Sequence, residues 1–274
     1  MRELHYGKWR AVAVSSCGAN LIKLEYDGKP VFRSPENTET LRERPCLYGL
    51  PLIFPANRTD GGKFSFGGVS YELPVNEPAW NNHIHGLLKD APFTVLSEEP
   101  ARLCTRLENN GAYYPFPFTL DITDSLSEKG FLRTLVLKNT GTAPMPYTLG
   151  FHATFAEPEC FSVPIEMCCE MDARALPTGN CLPLSDRQLQ YRNGFLPDGS
   201  QIRGIYTSRG RKVQLGQFHM EVSEQFDHWV LFNGSGAEGY LCIEPQSGAV
   251  NGLNSEKHRL LQPGETECFT IKIQ

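Results

Sequence analysis

Apolar residues along this chain come in short bursts separated by turn-forming residues. Trp9–Val14, Leu21–Tyr26, Phe93–Leu96, Phe116–Ile122, Phe131–Leu137, Val213–Leu215, Trp229–Phe232, Tyr240–Ile243 and Phe269–Ile273 are rich in aliphatic, aromatic and β-branched side chains, the composition of strands. Several alternate, as in Phe131-Leu-Arg-Thr-Leu-Val-Leu-Lys138, so one face is buried while the other stays wet. Glycine and proline punctuate the runs at roughly the eight-to-twelve-residue spacing of an all-β domain. Asp27-Gly28 is the preferred pair for a type I′ hairpin turn, and Ser127–Gly130 and Asn139–Gly141 read as further turns. No stretch shows an amphipathic helix of more than two turns, and no linker or repeat divides the chain. The pattern predicts an all-β fold: one large antiparallel domain over residues 1–274, with more than about a dozen strands in packed or curved sheets.

Composition narrows the function classes. Of 274 residues, 40% are hydrophobic and 21% charged, enough for a sizeable core and too little charge for disorder. With 26 basic against 31 acidic residues, the net charge is -5, so no broad positive field attracts a phosphate backbone, and nucleic acid is not an expected partner. No window approaches the ~18 apolar residues of a spanning helix, and the N-terminus lacks a basic start followed by a long apolar run. These features predict a soluble, cytoplasmic protein with no membrane partner, monomeric or homodimeric. The nine cysteines are odd in number and contain no Cys-x-x-Cys, which predicts reduced thiols used as small apolar side chains. Two glycosylation sequons, at Asn57 and Asn233, carry no meaning without export.

Polar residues inside apolar runs are the candidates for chemistry. Gly234-Ser-Gly-Ala-Glu-Gly239 matches a dinucleotide fingerprint in letters, but the strand-like Tyr240-Leu-Cys-Ile243 follows where a helix is required, so it reads as a hairpin loop. In Asn82-His-Ile-His-Gly86, a strand would point His83 and His85 to one face, as metal ligands do, with Asp90, His152 or Glu244 completing a site. The competing reading is one structural histidine and one bonded to a neighbour. His152 lies within Tyr147–Phe155, and Glu244 within Leu241-Cys-Ile-Glu-Pro-Gln246. A carboxylate inside such a segment is costly to bury unless paired, hydrogen-bonded or protonated, so Glu244 is a functional candidate. Arg58 follows the apolar Leu50–Phe54, and Asp227 precedes the run beginning at Trp229.

Together these segments resemble the aldose 1-epimerase (galactose mutarotase-like) family over nearly the whole chain. Gly18–Leu24 resembles its opening strand. Ile53-Phe-Pro-Ala-Asn-Arg58 with Gly62-Lys-Phe64 resembles its proline–Asn-Arg–glycine–aromatic segment. Asn82-His-Ile-His-Gly86 is similar to its Asn-x-Leu-His-Gly element, Gly150–Phe155 to its second histidine motif, and Cys242-Ile-Glu-Pro-Gln246 to its glutamate motif. Leu261-Gln-Pro-Gly-Glu265 resembles its closing turn. The chain departs from the family at Leu87, where a second glycine is common, and after His152, where a tyrosine is usual; its length fits the compact bacterial-type branch.

The resemblance implies a β-supersandwich that interconverts the α and β anomers of free hexoses, with no cofactor and no metal. It makes Glu244 the base at the anomeric hydroxyl, His152 the acid toward the ring oxygen, and His85 an assisting hydrogen-bonding group. Arg58, Asp227, Asn57 and His83 become substrate-binding residues, Asp227 on the loosest match. A carboxylate and an imidazole flanking C1 and O5 supply both proton transfers that hemiacetal opening needs. Phe54, Phe155 and Trp229 are candidate walls for the sugar's C–H faces. Two alternatives share the fold: a hexose-6-phosphate 1-epimerase using Lys89, Arg42 or Arg44 as a phosphate clamp, and a carbohydrate-binding or regulatory module without turnover.

Overall fold

The alternating run at Phe131 forms the strand Gly130–Asn139, with buried and half-buried residues in alternation. It pairs with Phe118–Ser127 on one side and Thr266–Ile273 on the other. A computed structural model describes residues 1–255 and 258–274. In it these strands occupy the middle of an eight-stranded antiparallel sheet, which runs in order Thr94–Glu99, Arg102–Asn109, Phe118–Ser127, Gly130–Asn139, Thr266–Ile273, Phe218–Val222, Lys212–Leu215 and Phe161–Ser162.

A second sheet runs Pro177–Pro183, Ile165–Met171, Arg203–Ser208, His228–Phe232, Tyr240–Gln246, Gly150–Phe151 and Leu52–Ile53, with Thr154–Ala156 also paired to Tyr240–Gln246. Its inner face and that of the first sheet share one apolar cluster. Leu120, Leu135, Leu137 and Phe269 come from the first sheet, and Phe151, Trp229, Leu231, Leu241 and Ile243 from the second. This is a β-sandwich, two antiparallel sheets packed on one shared core. A four-stranded sheet from Arg2 to Pro30 packs beside it. The Asp27-Gly28 turn has φ of 53° and 75°, both positive as a type I′ turn requires. Gly234–Gly239 closes the hairpin between His228–Phe232 and Tyr240–Gln246.

Two features escaped the hydrophobic pattern. The strands Ile165–Met171 and Pro177–Pro183 are half-buried or exposed along most of their length, so they lack an apolar signature. The helix Asp186–Asn193 is announced instead by a capping box, in which Ser185 and Gln188 satisfy each other's backbone N–H groups. At eight residues it runs just past two turns, and the helix Thr38–Glu43 has six. No helix among the described residues is long and apolar enough to cross a membrane.

Candidate active site

In Tyr240–Gln246, alternation sends Leu241 and Ile243 into the sandwich core and Glu244 to the opposite face. The neighbouring segment pairs Gly150 with Gln246 and Thr154 with Cys242. Carried between those two pairs, the register sets His152 across from Glu244. His152 Nε2 lies 3.3 Å from Glu244 Oε1, and both side chains are almost fully buried. Gly150 makes this approach possible: a Cβ there would stand 2.9 Å from Gln246 Cγ and 3.0 Å from the Pro245 carbonyl oxygen.

His85 arrives from a short ladder. Arg58–Asp60 pairs with Asn82–Ile84, and the ladder ends where Asn57 and His85 both adopt left-handed backbone, φ 55° and 62°. The His85 N–H donates to the Asn57 carbonyl at 2.9 Å. Gly86, also left-handed, lies so close to Phe54 that any Cβ would overlap its carbonyl. Non-glycine residues held at positive φ cost about 1–3 kcal/mol each and cluster at functional sites. Here the conformation sets the His85 ring perpendicular to that of His152, with centroids 5.1 Å apart.

A chain of hydrogen bonds fixes the carboxyl. Gln246 Nε2 donates to Glu244 Oε2 at 3.2 Å, Asn57 Nδ2 to Gln246 Oε1 at 3.4 Å, and Arg58 Nη1 to Asn57 Oδ1 at 3.4 Å. Arg58 is itself clamped by Glu77 through two bonds of 2.8 Å, the bidentate geometry in which guanidinium and carboxylate match best. Burial pushes the Glu244 carboxyl up to about 8, against the opposing pull of Gln246 and the Arg58 charge. Burial brings His152 down to about 4. It also holds His85 well below the usual imidazole range, helped by the charges of His152 and Arg58. Burial thus favours the uncharged form of both groups, the protonated carboxyl and the neutral imidazole.

These groups open onto a cavity of about 440 Å3, within the size range of small-molecule sites. His85, His152, Glu244, Asn57 and Arg58 line it, and Trp80, Phe232, Asp172 and Arg203 complete its wall. A cavity lined by apolar side chains, hydrogen-bonding groups and a buried acid–base pair can bind a small polyol and move a proton on and off it. The aldose 1-epimerase family model matches residues 3–274. The chain belongs to the aldose 1-epimerase family.

Among the proteins this family member resembles is the uncharacterized protein YihR of Escherichia coli (strain K12), 29% identical over 182 residues. That match covers 63% of this chain and 57% of YihR, so it spans less than two thirds of the relative's length. A crystal structure of a galactose mutarotase-like protein from Clostridium acetobutylicum superposes with a TM-score of 0.92 at 25% identity, covering 99% of this chain and 94% of that one. The galactose 1-epimerase of Lactobacillus acidophilus NCFM gives a TM-score of 0.75 at 18% identity, covering 99% and 93%, which is a likeness of fold.

Set against the family motifs, the structure brings Glu244, His152, His85, Asn57 and Arg58 together. It takes two others elsewhere. His83 is fully buried, with Nδ1 2.7 Å from the Pro74 carbonyl, and does not line the cavity. Asp227 is half-exposed, and its carboxylate lies 2.6 Å from His228 Nδ1, also outside the cavity lining. The shared face expected of His83 and His85 does not form, because the strand ends at Ile84 and His85 turns left-handed. Among the described residues, no group of three or more His, Cys, Asp and Glu side chains is arranged to hold a metal. The expected walls also need correction: Phe54, Phe155 and Trp229 belong to the apolar core. Trp80 and Phe232 are the aromatic residues at the cavity instead. Trp80 sits in Glu77-Pro-Ala-Trp80, just before the histidine element. A tryptophan in a polar, proline-marked loop was the signal available for it.

Proposed function

We propose that this protein is a mutarotase that interconverts the α and β anomers of a free reducing hexose of the cytoplasm. The observation that carries the reading is the His152–Glu244 pair, 3.3 Å apart and buried at the floor of a sugar-sized cavity. Transfer of the shared proton across that contact yields a carboxylate and an imidazolium. Sugar hydroxyls and the Arg58 charge both favour the carboxylate. Glu244 then accepts the proton of the C1 hydroxyl while His152 delivers one to O5. The C1–O5 bond breaks, C1 becomes an aldehyde, and rotation about C1–C2 presents its other face. Reclosure reverses both transfers, so the pair ends with the single proton it began with and no cofactor is consumed.

His85 hydrogen-bonds the sugar at the same end. Arg58 acts through Asn57 and Gln246, holding the carboxyl in line. Trp80 offers a flat face to the sugar's C–H groups. Polarimetry of freshly dissolved α-glucose and α-galactose tests the proposal. Protein at micromolar concentration should shorten the approach to equilibrium severalfold over buffer. No acceleration with any hexose or hexose derivative would leave a binding module in place of an enzyme.

A further inference from the structure

Lys89, Arg42 and Arg44, the basic residues singled out in the sequence as a phosphate clamp, do not line the cavity. Arg174 was not singled out, and its bonds join two separate stretches of the cavity wall. One stretch is the turn between the strands Ile165–Met171 and Pro177–Pro183, which contributes Asp172, Ala173 and Ala175. The other is the 3-10 turn Pro78–Trp80, which contributes Trp80.

The first turn is built to present Arg174. Asp172 Oδ1 accepts from the backbone N–H groups of Arg174 and Leu176 at 2.8 and 2.9 Å, and the Asp172 N–H donates to the Leu176 carbonyl at 2.8 Å. Leu176 is buried with Ile205, Val230 and Val250, which seats the turn on the sheet. The flanking strands are half-buried or exposed along most of their length, so they add little apolar contact to hold it.

Arg174 reaches from this turn to the other. Its Nε donates to the Trp80 carbonyl at 2.9 Å, and its Nη2 to the Asn81 carbonyl at 3.0 Å, to Asn82 Oδ1 at 3.2 Å and to Asp60 Oδ1 at 2.6 Å. Asn82 returns a bond from Nδ2 to the Arg174 carbonyl at 2.9 Å. The ion pair with Asp60 is half-exposed, and alone such a pair is worth little. The two main-chain carbonyls are what matter, because they belong to the turn that carries the Trp80 ring, and a planar guanidinium fixes their direction as a flexible ammonium does not.

We propose that Arg174 is a positioning residue: it does not line the cavity itself, but it sets the Trp80 ring and the spacing of the two walls, and so governs how tightly the sugar is held. This rests on the mutarotase reading and adds a residue to it. Wall contacts hold the sugar alike in its ground and transition states, so losing them changes KM and spares kcat.

The test compares wild type with Arg174→Ala, Arg174→Lys and Asp60→Asn. Polarimetry on a panel of hexoses and hexose derivatives gives kcat and KM. Arg174→Ala should raise KM about tenfold with kcat within about twofold. Arg174→Lys should restore part of the affinity, and Asp60→Asn, which keeps the carbonyl bonds, should raise KM less than Arg174→Ala. Acrylamide quenching of tryptophan fluorescence, without sugar, reads the ring directly. Trp9 and Trp229 are 6% and 0% exposed, so quenching reports chiefly on the half-buried Trp80, and it should increase in Arg174→Ala. Should that variant fail to fold, a KM raised in Arg174→Lys supports the role and an unchanged one overturns it. Unchanged KM, unchanged quenching, or a fall in kcat at constant KM in Arg174→Ala overturns the inference and leaves the mutarotase reading standing. Acceleration of none of the panel by the wild type overturns both.

Discussion

Glu244→Gln separates the chemistry of the carboxyl from its shape. The amide fills the same space beside Gln246 and His152 but cannot ionise. In the wild type, burial moves this group from 4.5 to about 8. At about 1.4 kcal/mol per tenfold change, that withholds about 5 kcal/mol from the ionised form. The folded protein thus binds this proton more tightly than the unfolded chain does. The stabilisation is complete below about pH 4.5 and is lost as pH rises to about 8. Wild type should therefore lose stability against Glu244→Gln across that window, by about 5 kcal/mol, and the gap should level off above it. Urea unfolding of both proteins at pH 5, 6.5, 8 and 9 measures the difference. For a chain of this size, the change corresponds to roughly 10 °C or more in Tm. A gap independent of pH would refute the argument, because the carboxyl would then titrate alike in the folded and unfolded states.

Other expectations follow from the same geometry. Since the pair holds one proton between about 4 and about 8, kcat/KM should be flat across that range and fall outside it; a profile rising through pH 9 would contradict the shared proton. Arg58→Ala removes the charge that holds Glu244 down and the donor that orients Asn57. It should lower kcat about tenfold and move the alkaline limb of the pH profile upward, whereas a loss of stability alone would not move the limb. Gly150→Ala forces a methyl against Gln246. It should cost about 1–3 kcal/mol in thermal or urea unfolding and slow turnover by displacing the glutamine that holds Glu244.

The strands with strong apolar or alternating character were legible in the sequence, because burial on one face imposes the pattern directly. Edge strands such as Pro177–Pro183 were not, since their side chains meet solvent and their partners are set by register alone. At the site, Glu244 and His152 were conspicuous as polar groups in apolar strands. Their contact depends on a pairing between segments some 90 residues apart, which no local signal encodes. His85 is marked by its likeness to the family's histidine element, whereas the alternation that would have set it beside His83 as a metal ligand stops at Ile84. Glu77, Trp80, Asp172 and Arg203 went unnoticed. Three come from loop or 3-10 segments, and the fourth from a strand whose site-facing side is polar at that position. For Glu77, Asp172 and Arg203 the importance is one of tertiary placement; Trp80 alone carries a local mark, its polar, proline-bearing loop.

In the proposed mechanism, one proton shared by Glu244 and His152 opens the sugar ring. Anomeric exchange by magnetisation-transfer NMR, on wild type, Glu244→Gln and His152→Gln with the preferred sugar, tests it most directly. The expected result is rapid exchange in the wild type and a loss of about 10²–10⁴-fold in each variant, with the sugar still bound. Exchange at the wild-type rate in either variant would contradict it.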